Sequence, residues 1–201
     1  NAAHYAIGEL LQDYNLITLA LDDPVRGFLE QSRDDFPGDG LHLEGSLFYH
    51  LFTLGSMINT LETSFHAGRS LYTREEISKI FIIPAETLTP DLKFPSINDG
   101  WYGRDIFVYR DMYQTVMDRI QSPAFGNIGN IFMESNSYSS LGSLFIRSSE
   151  ISGQRTGSVL YPQSGVGILR CADHYVLCDF GVPGGGHGHY DKLSIIFYGS
   201  G

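Results

Sequence analysis

Two histidines and an aspartate, each separated by one residue, precede the last strand-like segment of the sequence, in GGGHGHYDKLSIIFYG. They are His187, His189 and Asp191. Because residues i and i+2 of a strand point to the same face, these side chains project together if the strand already begins at His187. The three glycines at 184–186 allow close backbone approach to a ligand. Two imidazoles on one face can share a metal ion, or divide between a metal and a substrate.

Further polar and aromatic candidates lie in two other stretches. LEGSLFYH places Tyr49 and His50 at the start of a predicted helix. A tyrosine there is usually a packing residue, because its ring is mostly apolar, and His50 is interpreted as a hydrogen-bonded structural histidine. NDGWYGRD places Trp101, Tyr102 and Arg104 in a loop, where they either face solvent or stack on a sugar. The sequence contains no nucleophile elbow, phosphate loop, dinucleotide fingerprint or paired CxxC motif.

The composition is that of an ordinary globular chain, with 201 residues, 42% hydrophobic and 18% charged. The formal net charge of −10 argues against broad electrostatic binding to nucleic acid or to an anionic membrane. No apolar run has the length needed to span a bilayer. The sequence begins at Asn1 without methionine and ends on a strand pattern, which predicts a piece of a longer protein.

The elements that must position these residues change type along the chain. Apolar residues with helical spacing dominate the first half, and after Pro123 the sequence becomes rich in Gly, Ser and Asn. We therefore predict a helical domain over 1–122 and an antiparallel sheet domain over 123–201. The predicted helices are HYAIGELLQDYNLITLAL, VRGFLEQSR, EGSLFYHLFTLGSMINTLETSFHAG, REEISKIFI and DIFVYRDMYQTVMDRIQ, and the predicted strands are GVGILRC, YVLCDFG and DKLSIIFYG.

The two cysteines flank the first predicted hairpin. Cys171 and Cys178 either face each other across the hairpin or are free, buried thiols, and the second interpretation is preferred.

Several of these stretches, in this order, resemble the heparinase II/III-like polysaccharide lyases, closest to the oligoalginate-lyase-like branch. DGLHLEGSLFYHLFTL resembles the start of that family's tyrosine-bearing helix, and FPSINDG resembles one of its loops. The hairpin and the HGHYDKLS segment resemble the opening of its sheet domain. The resemblance covers most of the chain. It implies an α+β multidomain fold, in which the C-terminal part of an (α/α) toroid is followed by the start of an antiparallel β-sandwich.

The activity that the resemblance implies is β-elimination on a uronic-acid polysaccharide or oligosaccharide of the alginate or heparin/heparan type. Such a carbon–oxygen lyase must neutralise the uronate carboxylate, remove the weakly acidic C5 proton and protonate the leaving 4-O oxygen. Tyr49 matches the family's catalytic tyrosine, which donates to the leaving oxygen and in syn elimination also acts as base. His187 matches the catalytic histidine that neutralises or positions the carboxylate. His189 matches a histidine that binds a structural zinc in many members.

Parts of the family's pattern are missing from this sequence. The family uses an Asn or His upstream of the tyrosine, for which only Asn1 and His4 are available here, and neither is assigned. The remaining zinc ligands are expected after Gly201. The resemblance also implies a periplasmic or secreted location. Two other functions stay open: an enzyme that uses His187 and His189 on one reactive metal ion, and a non-catalytic carbohydrate-binding protein or inactive lyase that holds sugar with the loop aromatics and Arg104.

Overall fold

The computed structural model describes residues 1–120, 122, 125–134, 157–172, 174–182 and 186–199. Within these residues the fold is α+β, with seven α-helices followed by one antiparallel sheet of four strands in the order β1-β2-β3-β4. The helices are α1 (Ala2–Leu11), α2 (Tyr14–Leu21), α3 (Phe28–Asp35), α4 (Leu47–His66), α5 (Glu75–Thr87), α6 (Arg110–Arg119) and α7 (Gly126–Glu134), and the strands are β1 (Val159–Tyr161), β2 (Val166–Cys171), β3 (His174–Asp179) and β4 (Ser194–Tyr198).

The prediction of one N-terminal helix was wrong, because the chain turns back on itself between α1 and α2. Gln12 takes a left-handed conformation, with φ 55° and ψ 34°, and ends α1. The Asp13 carboxylate then accepts hydrogen bonds from the backbone N–H groups of Asn15 and Leu16, which starts α2. The helical spacing of apolar residues continues through the turn, so this spacing gave no sign that the helix ends there.

The helical core forms around α4, which begins close to its predicted start. Gly68, just beyond the helix, has φ +75°, as expected for a glycine that stops a helix. A continuous apolar stripe of α4 faces the other helices. The fully or nearly fully buried members of this helical core include Tyr5, Leu51, Leu54, Leu61, Tyr72, Ile77, Phe81, Ile106, Tyr113 and Val116.

Helix α7 was not predicted from the sequence. It lies beyond residue 122, in a stretch whose glycine and asparagine content suggested loop and sheet. Ile128 and Phe132, four residues apart, are both buried in the helical core. The helical part of the chain therefore continues to Glu134. The division into two domains at residue 122 stays a prediction, and residues 135–156 of the Gly/Ser/Asn-rich stretch lie outside the described part of the chain.

The sheet packs one face against the helical part of the chain. Val166, Ile168, Tyr175 and Leu177 are buried there and join a second apolar cluster. The two cysteines are free, as predicted, but they are not buried as expected, because Cys171 is exposed and Cys178 is half-buried. Cys171 lies opposite His174, and Cys178 lies opposite Gly167. The members of the second cluster that come from the helical part are Leu41, Leu47, Ile83 and Ile97.

The last strand begins later than His187, the start that would have aligned the histidine motif on one face. Strand β4 begins only at Ser194, so His187, His189 and Asp191 lie in the preceding loop, and strand alternation does not align them. We call the described residues 186–193 the histidine loop. None of the helices in the described part of the chain is both long and apolar enough to cross a membrane.

Candidate functional site

The phenol of Tyr49 and the imidazole of His187 are in direct contact. Their ring centroids are 3.6 Å apart and their planes differ by 15°, so the rings stack. Tyr49 lies in the first turn of α4, whereas His187 lies in the histidine loop. Stacked rings keep their polar atoms at the ring edges. The contact therefore leaves the phenol oxygen and one imidazole nitrogen able to face a third molecule.

The carboxylate of Asp99 holds both histidines of the motif. Its Oδ2 atom lies 2.9 Å from Nδ1 of His187, and its Oδ1 atom lies 2.6 Å from Nε2 of His189. The hydrogen bond from His187 and then that from His189 keep the pKa of Asp99 below its usual range. The carboxylate is thus ionised at neutral pH and can only accept hydrogen bonds.

The protonation state of Asp99 fixes where the two imidazoles carry their protons. His187 must donate from Nδ1, and His189 must donate from Nε2. The free edge of His187 is then Nε2. In the neutral ring Nε2 accepts a proton, and in the imidazolium it donates a hydrogen bond to an anion.

The side chain of Asn98 joins three segments at this site. Its Nδ2 donates to the carbonyl oxygen of Gly45, at 2.9 Å, and to Oδ2 of Asp179, at 3.3 Å. Its Oδ1 accepts from the backbone N–H of His189, at 2.8 Å, and from Nζ of Lys192, at 3.3 Å. The segment just before α4, the end of β3 and the histidine loop therefore meet at one amide. Asn98 itself has φ 51°, a left-handed conformation that asparagine tolerates better than most residues.

A buried ion pair anchors the other end of the histidine loop. Nζ of Lys192 lies 3.0 Å from Oδ2 of Asp179, and both side chains are largely shielded from solvent. The backbone N–H of Gly181 donates to the other carboxylate oxygen, at 3.2 Å. A buried carboxylate needs partners for both oxygens, and here Gly181 serves one oxygen and Lys192 serves the other. Asp179 therefore holds the side chain of Lys192 in place.

Sequence reasoning missed the residues that hold the site together. Asn98, Asp99, Asp179 and Lys192 were not predicted as functional residues. The signal for the first two was the FPSINDG stretch, which was noted only as part of the family resemblance. Nothing in the local pattern singles out Asp179 or Lys192, because their partners lie in other segments.

His50 has a structural role, as its sequence context suggested. Its ring is completely buried, its Nε2–H donates to the carbonyl oxygen of Ile80, at 2.7 Å, and its Nδ1 accepts from the backbone N–H of His42, at 3.2 Å. Burial lowers the pKa of His50 to about 3. The ring is therefore neutral at physiological pH and ties the segment before α4 to α5.

The two upstream candidates do not contact Tyr49 or His187 among the described residues. The side chain of Asn1 donates to the carbonyl oxygen of Arg26, at 2.7 Å, and to Oε1 of Gln31, at 2.8 Å. His4 is exposed on α1. Neither residue is assigned a role.

The described residues do not complete a zinc site at His189. With Nε2 bound to Asp99, the ring offers Nδ1, which lies 3.9 Å from Oδ1 of Asp191. A structural zinc site takes four protein ligands. Among the residues that the structure describes, no group of three His, Cys, Asp or Glu side chains is arranged to hold a metal ion. Zinc at His189 therefore stays a prediction.

The site lies on an open surface of the described structure. The side chains of His187, Asp99 and His189 are 34, 42 and 47% exposed. Two cavities of the molecule lie elsewhere: one of about 360 Å³ between α3 and α5, and one of about 890 Å³ beside α1 and the second half of α4. Neither is lined by Tyr49 or by these three side chains.

Comparison with known proteins found no family model and no curated protein that matches this chain. The assignment of a family thus rests on the motifs in the sequence and stays a prediction.

Proposed function

We propose that the chain is the catalytic part of a polysaccharide lyase of the heparinase II/III-like type, which cleaves a uronic-acid polysaccharide or oligosaccharide by β-elimination. The observation that carries the proposal is the contact between Tyr49 and His187. A phenol from the helical part and an imidazole from the sheet part stack on each other, although Tyr49 and His187 are 138 positions apart in the sequence.

The chemistry of the pair fits the demands of the elimination. In the proposed reaction, a syn elimination, the Tyr49 side chain in its phenolate form removes the C5 proton, and the phenol that this step forms gives the proton to the leaving 4-O oxygen. The His187 ring, in its imidazolium form, donates from Nε2 to the uronate carboxylate, which lowers the barrier to loss of the C5 proton. Asp99 is a positioning residue, because it holds His187 through Nδ1 and leaves Nε2 for the substrate.

The finer architecture is also a proposal. The outer face of the sheet supports a β-sandwich, because it is apolar although it is exposed. An antiparallel sheet with a solvated outer face would carry polar residues there. The antiparallel turn from α1 to α2 supports a toroid built from helix pairs. The exposed apolar residues of the outer face are Leu160, Leu169, Ile195 and Phe197.

The proposed reaction uses only side chains of this chain. A zinc ion bound through Nδ1 of His189 would stabilise the histidine loop, with the other ligands supplied by residues outside the described part. No proton transfer in the proposal passes through a metal.

The proposal is tested by the substitution Tyr49→Phe, which removes one oxygen atom and keeps the ring. We expect the ultraviolet absorbance of the unsaturated uronate product, measured with alginate and with heparan-type polymer, to fall by about a hundredfold or more. Tyr14→Phe is the matched control, because Tyr14 is exposed on α2 and loses the same atom. Product formation by Tyr49→Phe at the wild-type rate would remove Tyr49 from the reaction.

The same assay separates the two other functions. A metal-dependent enzyme would lose activity on exhaustive chelation and regain it with added zinc, while Tyr49→Phe stayed active. A non-catalytic carbohydrate-binding protein would bind the polymer saturably, with no new absorbance from the wild-type chain.

A further inference from the structure

Aromatic contacts continue from the candidate catalytic pair to an exposed loop. The Tyr49 ring meets the Phe48 ring edge to face, with centroids 5.2 Å apart. Phe48 in turn stacks on Trp101, with centroids 4.7 Å apart and planes within 8°. Together with the contact between Tyr49 and His187, these rings form an unbroken row. We call it the aromatic row, consisting of His187, Tyr49, Phe48 and Trp101.

The far end of the aromatic row carries a positive charge. The Cζ atom of Arg104 lies 4.9 Å from the centroid of the Trp101 ring. No carboxylate among the described residues pairs with this guanidinium, and its Nε atom is buried without a hydrogen-bond partner in that part of the chain. By contrast, Arg33, Arg69 and Arg119 each pair with a glutamate. In a chain with a net charge of −10, an arginine left without an acid is available to an external anion.

Trp101 is held in place and is nevertheless accessible. Its ring packs on Phe48 and under Arg104, yet 58% of the residue is exposed. The backbone of Arg104 is fixed as well, because its carbonyl oxygen accepts the N–H of Phe94, at 2.8 Å. A rigid aromatic surface loses little conformational entropy when a ligand binds.

We propose that Trp101 and Arg104 form a binding subsite for a carboxylated sugar unit, next to the unit that lies at Tyr49 and His187. The proposal rests on the proposed function, which supplies the substrate class. The part of the indole that Phe48 and Arg104 leave exposed packs against apolar C–H groups of the pyranose, and the carboxylate of that sugar binds the guanidinium. The subsite therefore selects uronate units over neutral sugars.

The chain contains a single tryptophan, so the fluorescence of Trp101 reports directly on the subsite. Titrations use the Tyr49→Phe chain, in which binding is followed without turnover. The probes are a mannuronate tetrasaccharide, a glucuronate-containing heparosan tetrasaccharide, and the mannuronate probe after reduction of its carboxylates to alcohols. We expect a saturable change in fluorescence with at least one uronate probe, and a dissociation constant about tenfold higher for the reduced probe.

The substitution Arg104→Gln tests the charge. It should raise the dissociation constant of the uronate probe about tenfold, and Arg104→Lys, which keeps the charge, should raise it less. The control is Arg26→Gln, which removes an exposed arginine in the turn before α3 and should leave binding unchanged. Circular dichroism of each variant confirms folding.

The outcomes separate this inference from the proposed function. Saturable binding at Trp101 that depends on Arg104, with no product from the wild-type chain, supports the subsite and overturns the lyase. Product formation with no fluorescence change for either uronate probe overturns the subsite alone. Equal effects of Arg104→Gln and Arg26→Gln also overturn it.

Discussion

The helical core and the histidine loop are held in place by different forces. In the core, large apolar side chains such as Tyr5, Leu54 and Phe81 are completely buried. In the loop, His187 and His189 remain partly exposed and are held by hydrogen bonds to Asp99. Apolar burial is strong and has little directional preference, whereas charge-assisted hydrogen bonds fix the orientation of each donor.

This difference separates stability from function in the molecule. We expect substitutions in the helical core to lower the free energy of unfolding and to leave the geometry of the site intact in molecules that still fold. We expect substitutions around Asp99 to disturb the geometry of the site and to change the free energy of unfolding little.

The largest effect on stability is expected from Leu54→Ala. Leu54 is fully buried in α4, and its truncation should lower the free energy of unfolding by about 2–5 kcal/mol. Urea denaturation followed by circular dichroism measures the loss. Leu10→Ala, at an exposed position of α1, is the control and should change the value by less than about 0.5 kcal/mol. If activity per folded molecule also fell sharply in Leu54→Ala, the separation would be wrong.

A smaller effect is expected from acid, through His50. Its folded-state pKa of about 3 lies below the ordinary histidine value of about 6.5, so between these values the unfolded chain binds a proton that the folded chain excludes. The contribution of neutral His50 to the free energy of unfolding is therefore fully present above about pH 6.5, the ordinary histidine pKa. It decreases as the pH falls through this window, and at pH 5 the free energy of unfolding is lower by about 2 kcal/mol. Burial also lowers the pKa of His42, which adds to the fall in the same direction.

The variant His50→Gln checks the origin of this pH dependence. Its amide can still donate to the carbonyl oxygen of Ile80 but does not titrate, so the decrease in stability from pH 7 to pH 5 should be smaller than in the wild type. His66→Gln, at an exposed position of α4, should keep the wild-type slope. An unchanged slope in His50→Gln would show that other groups cause the loss.

The smallest effect on stability, and a clear effect on the site, is expected from Asp99→Asn. The amide keeps one acceptor oxygen, so it can serve only one of the two imidazole N–H groups. We expect the rate of product formation to fall by about tenfold or more, as when other groups that orient a histidine are removed, with little change in urea denaturation. Asp191→Asn removes the same charge from an exposed position of the histidine loop and should have a weaker effect.

The pH dependence of the Asp99 contacts has a defined sign. Because the pKa of Asp99 is below its usual range, the two hydrogen bonds persist in mild acid and are lost only as the pH falls through the lowered value. Nuclear magnetic resonance of the two imidazoles follows this loss. Release of the histidine loop at a pH above the usual aspartate range would contradict a direct contact between Asp99 and the histidines.

The sequence predicted the regular elements best where their period was uninterrupted. The twenty-residue α4 and the strands β2 and β4 lie within the predicted stretches, and β3 begins one residue before its predicted stretch, because apolar spacing follows burial on one face. The prediction from the sequence failed at Gln12 and at α7. At Gln12 a left-handed residue breaks a continuous period, and in α7 a glycine-rich composition conceals an apolar stripe.

For the candidate site, the sequence named Tyr49, His187 and His189, whose roles remain to be tested, but it gave no geometry. The strand alternation that was considered for the two histidines does not apply, since β4 begins after them. What aligns them instead is a shared carboxylate, contributed by a turn 88 and 90 residues away in the sequence.

The sequence by itself determined the change from helices to strands along the chain, the net charge and the residue types available for chemistry, because each follows from local composition and periodicity. Only the tertiary structure decided that Tyr49 stacks on His187, that Asp99 sets the protons of both imidazoles, and that Asn98 joins the three segments. These contacts depend on the direction of single side chains across long sequence separations. Such directions leave no periodic pattern in the sequence.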